Sequence, residues 1–300
     1  MRKEPSLKSK KHFSVFEVII FTVLALYAIS MFILLLWALN TSLKSDDVFY
    51  RDINGVLGIT TEFKFSNFLT AFNYLKVPGT GSLAQYKISF AEMMFNSVIY
   101  SFFCAFCQVA ATTLVAYCTA IYDCKFSRFI HSMVIVVIAL PIFGSLASTI
   151  TVLSDLHIYD TWFGAFALKF GFCNMYYLIV YEAFKKTPWS LAEAAFIDGA
   201  SHAQVFFRVM LPMVKNLCGA VFLLFFVQYW NDYQDPMQFL PSRPTASYGL
   251  YIFMHSYEND ISSVPLKVAG GVLTMLPILV VFLCFKEKLM GNLMTGGIKE

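Results

Sequence analysis

The chain has 300 residues, 58% of them hydrophobic and only 14% charged, with a mean hydropathy of +0.64 and a formal net charge of +3. A soluble globular domain is nearer half apolar and a quarter charged, so an ordinary soluble fold is excluded, and the small net charge gives no reason to invoke nucleic acid. The apolar excess falls into blocks long enough to cross a bilayer, which takes about 20 residues.

In chain order, a basic tail over residues 1–17 carries Arg2, Lys3, Lys8, Lys10 and Lys11. The first predicted span, 18–39, holds no charge. A cleaved signal peptide competes here, but its apolar core would be roughly 7–15 residues and end at a small-residue cleavage site. The block closes on Trp37-Ala38-Leu39-Asn40, which reads as a retained span. The following segment, 40–89, contains the turn formers Pro78-Gly79-Thr80-Gly81-Ser82 and too little apolar periodicity to predict a separate domain. A second uncharged span covers 95–122, and a third covers 129–153 with Pro141 inside it. Membrane helices tolerate such a proline where neighbours satisfy the freed carbonyl. The fourth span lies within 162–184 and is interrupted by Lys169; the fifth covers 214–229, and the sixth 268–285 with Pro277 inside it. No internal repeat or low-complexity segment is visible.

Lysine and arginine near the span ends set the orientation. The N-terminal tail, the 2–3 link (Lys125, Arg128), the 4–5 link (Lys185, Lys186, Arg208, Lys215) and the C-terminal tail over 286–300 (Lys286, Lys288, Lys299) fall on one side if there are six spans. That side is cytoplasmic. Residues 154–161 carry Asp155 and Asp160 without a basic residue, and 230–267 carry Asp232, Asp235, Glu258 and Asp260 against Arg243 and Lys267, as outer segments should. The predicted fold is therefore all-α and integral to the membrane: a six-span domain over 18–285 with outer loops 40–89 and 230–267, an inner loop 185–213, and both termini cytoplasmic.

The cysteines are Cys104, Cys107, Cys118, Cys124, Cys173, Cys218 and Cys284. An odd number, mostly inside apolar blocks, argues against a disulfide framework. Cys104 and Cys107 form a C-x-x-C, but on a lipid-embedded helix, where small apolar packing residues are the simpler reading than a redox or metal site.

The inner loop is the most informative stretch. Thr187-Pro188 is read as a helix start, a side-chain cap followed by proline at the first helical position. A short helix then runs to Asp198, and Gly199 ends it because glycine accepts positive φ. A second helical stretch is expected from Ser201 to Leu211, before Pro212. A knob that docks into a cleft on another protein needs a rigid helix, small side chains and a charge to fix register. Ala194, Ala195, Gly199 and Ala200 supply the small residues, and Glu193 or Asp198 the charge. Composition alone fits an amphipathic linker on the membrane surface better.

The order of residues overturns that. Glu193-Ala194-Ala195, three residues, Gly199, nine residues, Val209, one residue, then Leu211-Pro212 resembles the EAA signature of ABC importer permeases, with Val209 where isoleucine is usual. Asp198-Gly199-Ala200 resembles its carbohydrate-uptake branch. Asn96-Ser97, Trp230-Asn231-Asp232-Tyr233 with Pro236, Pro244-Thr245-Ala246 with Gly249-Leu250, and the tail Asn292-Leu293-Met294-Thr295-Gly296-Gly297-Ile298-Lys299 are similar to further family motifs, the last to the maltose-type second permease. The resemblance implies that Glu193, Ala194, Ala195, Asp198, Gly199, Leu211 and Pro212 belong to a coupling helix seated in an ATPase subunit. It implies two ATPase copies, a second related permease, an extracytoplasmic solute-binding protein, and a place in the bacterial cytoplasmic membrane.

There is no G-x-x-x-x-G-K-[ST] phosphate loop, so ATP hydrolysis must come from another subunit. No metal-ligand spacing, nucleophilic triad or cofactor motif is seen, and His12, His131, His157, His202 and His255 are scattered. Polar groups at membrane depth face a protein interior or a wet cavity; here they are Asn96, Gln108, Lys169, Asn174, Gln228 and Asn231. Lys169 is expected to snorkel to the outer interface. Asn174, Gln228, Tyr229, Trp230 and Asn231 are the candidates for a solute path, since sugars offer both hydroxyls and apolar C–H faces. An interfacial aromatic belt explains Tyr229 and Trp230 equally well. The expected function is carbohydrate import by alternating access. The competing functions are import of a non-sugar solute, an ion-coupled secondary transporter, which would need midplane charge pairs or broken repeat helices, and an intramembrane enzyme, for which no catalytic pair is recognisable.

Overall fold

The computed structural model describes residues 15–51, 53–80, 86–140, 145–256 and 262–295. The basic residues of the N-terminal tail, Pro141, the Gly81-Ser82 part of the predicted turn and Lys299 lie outside them. The fold is helical apart from one two-stranded hairpin. Four helices are long and apolar enough to cross a membrane: Val15–Ser42, Phe90–Ile121, His202–Asn231 and Val264–Phe285.

Helix α1 (Val15–Ser42) is apolar on all sides, and only Thr41 and Ser42 of it are buried. It runs beside α15 (Val264–Thr295). Beyond it, residues 43–89 fold back on the outer ends of the long helices rather than forming a separate unit. They make α2 (Asp46–Phe49), α3 (Ile53–Leu57), α4 (Ser66–Tyr74) and a hairpin of β1 (Val77–Pro78) and β2 (Lys87–Ile88). Buried polar groups hold this region together. Asn67 donates to the carbonyls of Ser42 and Lys44 at 3.0 and 2.8 Å, and the Lys44 ammonium donates to those of Gly55 and Val56 at 2.7 and 3.1 Å. Each such bond is worth about 1 kcal/mol net, and leaving any of these groups unmade costs more. Leu75, Val77 and Ile88 then share a core with Met93, Tyr248, Phe253, Leu266 and Ala269.

Helix α5 (Phe90–Ile121) is the hub, opened by a capping box between Ser89 and Glu92. It packs on α8, α9, α12 and α14. Its Asn96-Ser97 pair meets another sequence motif directly: Asn96 donates to the Pro244 carbonyl at 3.0 Å, and Ser97 accepts from the Ala246 amide at 2.7 Å. Thr245 caps α14 (Ala246–Met254), whose Gly249 lies so close to α5 that a Cβ there would stand 2.3 Å from the Met93 sulfur. Two family-like motifs are thus one joint.

The predicted third span comprises α6 (Lys125–Ala139) and α7 (Leu146–Asp155). The predicted fourth span is two helices rather than one, α8 (Trp162–Ala167) and α9 (Met175–Lys185), with non-helical chain at 168–174. Asn174 starts the second by accepting the Tyr177 amide at 3.2 Å. Broken backbone persists inside a membrane protein only where its polar groups find partners; here the Gly171 carbonyl accepts from Gln108 of α5.

Candidate coupling site and solute path

Two corrections apply to the inner loop. Thr187 does not cap the helix after it; its hydroxyl donates back to the Ala183 carbonyl at 3.0 Å, and the helix, α10 (Ser190–Ile197), starts later. Nor does Pro212 end the second stretch. Ser201 and Gln204 form a capping box at the head of α11 (His202–Val205), a π-helical turn follows over Phe206–Met210, and α12 (Leu211–Asn231) continues without interruption. The reason lies in the π turn. Proline has no N–H and crowds the carbonyl four residues back. In the turn just before it, the Leu211 amide reaches five residues back, to Phe206, which widens the helix where Pro212 enters. The loop helix and the long apolar helix are therefore one rigid piece.

The glycine elbow is as expected. Gly199 has φ +83°, the Ala200 amide bonds to the Ala195 carbonyl and the Gly199 amide to that of Phe196, both at 3.0 Å. This is a Schellman stop, which needs a left-handed residue. A Cβ at Gly199 would meet nothing within 4 Å, so the elbow projects into open space. Glu193, Ala194, Asp198 and Pro212 are exposed, Ala195 and Leu211 half-buried, and Ile197 is 86% exposed. Trp189 and Leu191 are exposed on the same loop. Toward the core, the elbow is anchored by residues that sequence reasoning passed over. Tyr122, just past the end of α5, hydrogen-bonds His202 Nδ1 through its hydroxyl at 2.8 Å, and the His202 ring packs on Phe196 at 4.9 Å. A tyrosine and a histidine 80 positions apart leave no spacing signal in the sequence.

The polar residues of the long helices converge at the opposite end of α12. Tyr229 is buried and donates to Gln108 Oε1 at 2.9 Å; Asn174 donates to Thr112 at 2.8 Å. Trp230 is buried, with its indole N–H toward the Thr274 carbonyl at 3.4 Å, while Gln228 and Asn231 are exposed. Of the path candidates, Gln228, Tyr229 and Asn231 line one open cleft of ≈ 550 Å³, Trp230 and Asn231 a second, and Asn174 neither. Lys169 is not free to snorkel. It is ion-paired with Asp235, 13% exposed, and its ammonium sits 4.9 Å from the centre of the Tyr229 ring. Asp232 accepts from the amides of Gln234 and Asp235 at 3.0 and 3.2 Å and from the Tyr100 hydroxyl at 3.3 Å. Burial and the neighbouring Asp235 carboxylate raise its pKa; the Lys169 ammonium opposes them. Among the described residues no group of His, Cys, Asp or Glu could hold a metal ion, and Cys104 and Cys107 are both buried in α5.

An exposed helical knob continuous with a long apolar helix, on a chain with several such helices, defines a membrane component that another protein drives. Residues 113–289 match the family described as "binding-protein-dependent transport system inner membrane component", and the chain belongs to it. It is 25% identical over 210 residues to the arabinooligosaccharides transport system permease protein AraQ of Bacillus subtilis, covering 69% of this chain and 73% of that one. It is 25% identical to the diacetylchitobiose uptake system permease protein NgcG of Streptomyces coelicolor, covering 95% and 89%. Against the melibiose/raffinose/stachyose import permease protein MelC of Bacillus subtilis the identity is 24%, covering 92% and 94%. A chain in the crystal structure of a bacterial ABC transporter that imports the acidic polysaccharide alginate shares the fold, with a TM-score of 0.72 at 18% identity, covering 92% and 98%.

Proposed function

We propose that this chain is the permease subunit of a carbohydrate importer, moving oligosaccharides or related sugars by alternating access while a separate ATPase supplies the energy. The observation that carries the reading is the elbow: an EAA-type knob with exposed Ile197, Asp198 and Gly199, joined through α11 and the π turn to the full length of α12. A push on such a knob moves a whole apolar helix. The relatives that handle arabinooligosaccharides, diacetylchitobiose and raffinose-type sugars support a carbohydrate cargo. The chain itself is non-catalytic. Its partners are two ATPase copies, a different but related permease, and an extracytoplasmic binding protein, because one chain with one knob serves only one of two paired ATPase sites. Six spans with both termini cytoplasmic place it in the bacterial cytoplasmic membrane, α6–α7 and α8–α9 being the third and fourth spans and 185–213 the coupling loop.

The Lys169–Asp235 pair and the break between α8 and α9 are features that an ion-coupled transporter would also show. Membership of a binding-protein-dependent family weighs against that reading. The test is cysteine accessibility together with copurification. Cysteines placed at 50 and 245 should label from outside intact cells, and those at 125, 198 and 295 only after permeabilisation. The chain should copurify with an ATPase and a second permease, and differently tagged copies of it should not pull each other down. Outside labelling at 198 would overturn both orientation and function.

A further inference from the structure

The two clefts at the outer end of α12 share a ridge made by Asn231 and Tyr233. On one side, a space of ≈ 340 Å³ is walled by aromatic rings: Tyr233 and Tyr251 stack at 4.4 Å with planes 10° apart, and Tyr251 and His255 at 4.3 Å. On the other, the ≈ 550 Å³ space is walled by Gln228, Gln234, Asp232 and Asp235. Flat apolar ring faces beside convergent amide and carboxylate groups are complementary to a pyranose, which has an apolar C–H face and a rim of hydroxyls.

The charge of the composite cleft is more specific than its shape. Its lining holds one ammonium, Lys169, and Asp235 takes it. Asp232 adds a further carboxylate. Ionised, it makes the lining net negative; protonated, it leaves the lining neutral. His255, the other basic side chain lining either space, commits Nδ1–H to the Tyr251 carbonyl at 2.8 Å and its ring to the stack. No uncommitted cation is present to receive an anionic sugar, and a sugar carboxylate would face protein carboxylates in a partly desolvated site, where like charges repel strongly. We propose that the adjoining clefts, with Tyr233 and Tyr251 as stacking floor and Gln228, Asp232, Gln234 and Asp235 as hydrogen-bonding wall, form a saccharide subsite that admits uncharged sugar units and rejects uronate or sulfonated ones. This rests on the reading of the chain as a carbohydrate permease.

The test uses the complex of this chain with its partner permease and ATPase, without binding protein, in equilibrium dialysis against radiolabelled maltotriose, raffinose and trigalacturonate. A neutral trisaccharide should bind and trigalacturonate should not. Tyr251→Ala should weaken the neutral sugar about tenfold, the scale of one lost aromatic contact, whereas Tyr251→Phe should keep it. Asp235→Asn, which leaves Lys169 unpaired, should let trigalacturonate bind. Gln234→Lys, at an exposed position, introduces a free cation by a second route and decides the matter if Asp235→Asn does not assemble. Equal binding of trigalacturonate to the unaltered complex, no binding of any of the three sugars, or indifference to Tyr251→Ala would each overturn the subsite. If the full importer takes up a neutral sugar and Tyr251→Ala leaves uptake untouched, the subsite falls and the proposed function stands. If it takes up no carbohydrate at all, the function falls too.

Discussion

The two ends of α12 treat their polar groups in opposite ways. At the outer end, Tyr229, Asp232 and Lys169 all find partners within the chain, in Gln108, Tyr100 and Asp235. At the inner end, among the described residues, the carboxylates of Glu193 and Asp198 have no hydrogen-bond or ion-pair partner, and Ile197 stands almost fully in the open. A chain that satisfied its own groups at both ends would be complete in itself. This one is internally closed at one end and unfinished at the other. The physical lesson is that the outer network holds the subunit's own shape, while the inner elbow is built for a surface that the chain does not contain, because an exposed apolar residue on a rigid knob gains only when another protein covers it.

The sharpest way to break this comparison is Gly199→Arg, and it should have the largest effect. The left-handed backbone costs a non-glycine residue roughly 1–2 kcal/mol, but no atom lies within 4 Å of a Cβ there, so the isolated chain should insert and fold. In the docked cleft the same side chain collides with the ATPase. Transport should be abolished while the chain stays in the membrane. Wild-type uptake together with normal ATPase association would show that the elbow is not the docking surface.

How much of this was legible beforehand follows from the kind of signal each part leaves. Gly199, Glu193 and the small residues around them could be read because a Schellman elbow uses fixed local spacing, and local spacing survives in a sequence. Val18 to Leu39 of α1 could be read because an unbroken apolar block is a local property too. The continuity of α11 through α12 could not: Pro212 is ordinarily a stop, and nothing in the sequence announces the π turn that accommodates it. The Lys169–Asp235 pair was equally hidden. Sixty-six residues separate the two, and Lys169 read simply as a cation near a boundary. The segment 43–89 hid its packing on α14 and α15 because its short helices draw their apolar partners from the far end of the chain.

A middle-sized effect should come from the outer end. Lys169→Met leaves Asp235 without its counter-charge beside the second carboxylate, Asp232. A fully buried broken pair costs about 3–5 kcal/mol; with Asp235 about a third exposed, solvent screening reduces this to ~1–3 kcal/mol. The expected observation is a lower thermal midpoint in detergent. Adding Asp235→Asn should recover much of the loss, since the two substitutions act on one interaction and are not additive. Equal and additive losses from the two would mean that the pair does not hold the outer end, and the contrast between the ends would fade.

The smallest effect belongs to the link between the two regions. Tyr122 lies where α5 ends, and α5 also carries Tyr100 and Gln108, so the same helix touches the elbow at one end and the outer network at the other. Tyr122→Phe removes only the hydroxyl that meets His202 and keeps the ring. The bond is exposed, so the loss of stability should be about 0.5–1.5 kcal/mol or less. If the elbow were attached through α12 alone, transport would be untouched. If α5 shares the load, the elbow gains a loose joint: the ATPase should still bind and hydrolyse, while fewer sugars are moved per ATP. The informative quantity is therefore the ratio of uptake to hydrolysis in proteoliposomes, which a purely stabilising bond would leave constant. His202→Ala, made from the other side of the same bond, should lower that ratio at least as far, since it also removes the ring that packs on Phe196. An unchanged ratio in both variants would confine force transmission to α12 and leave the two ends of α5 mechanically independent.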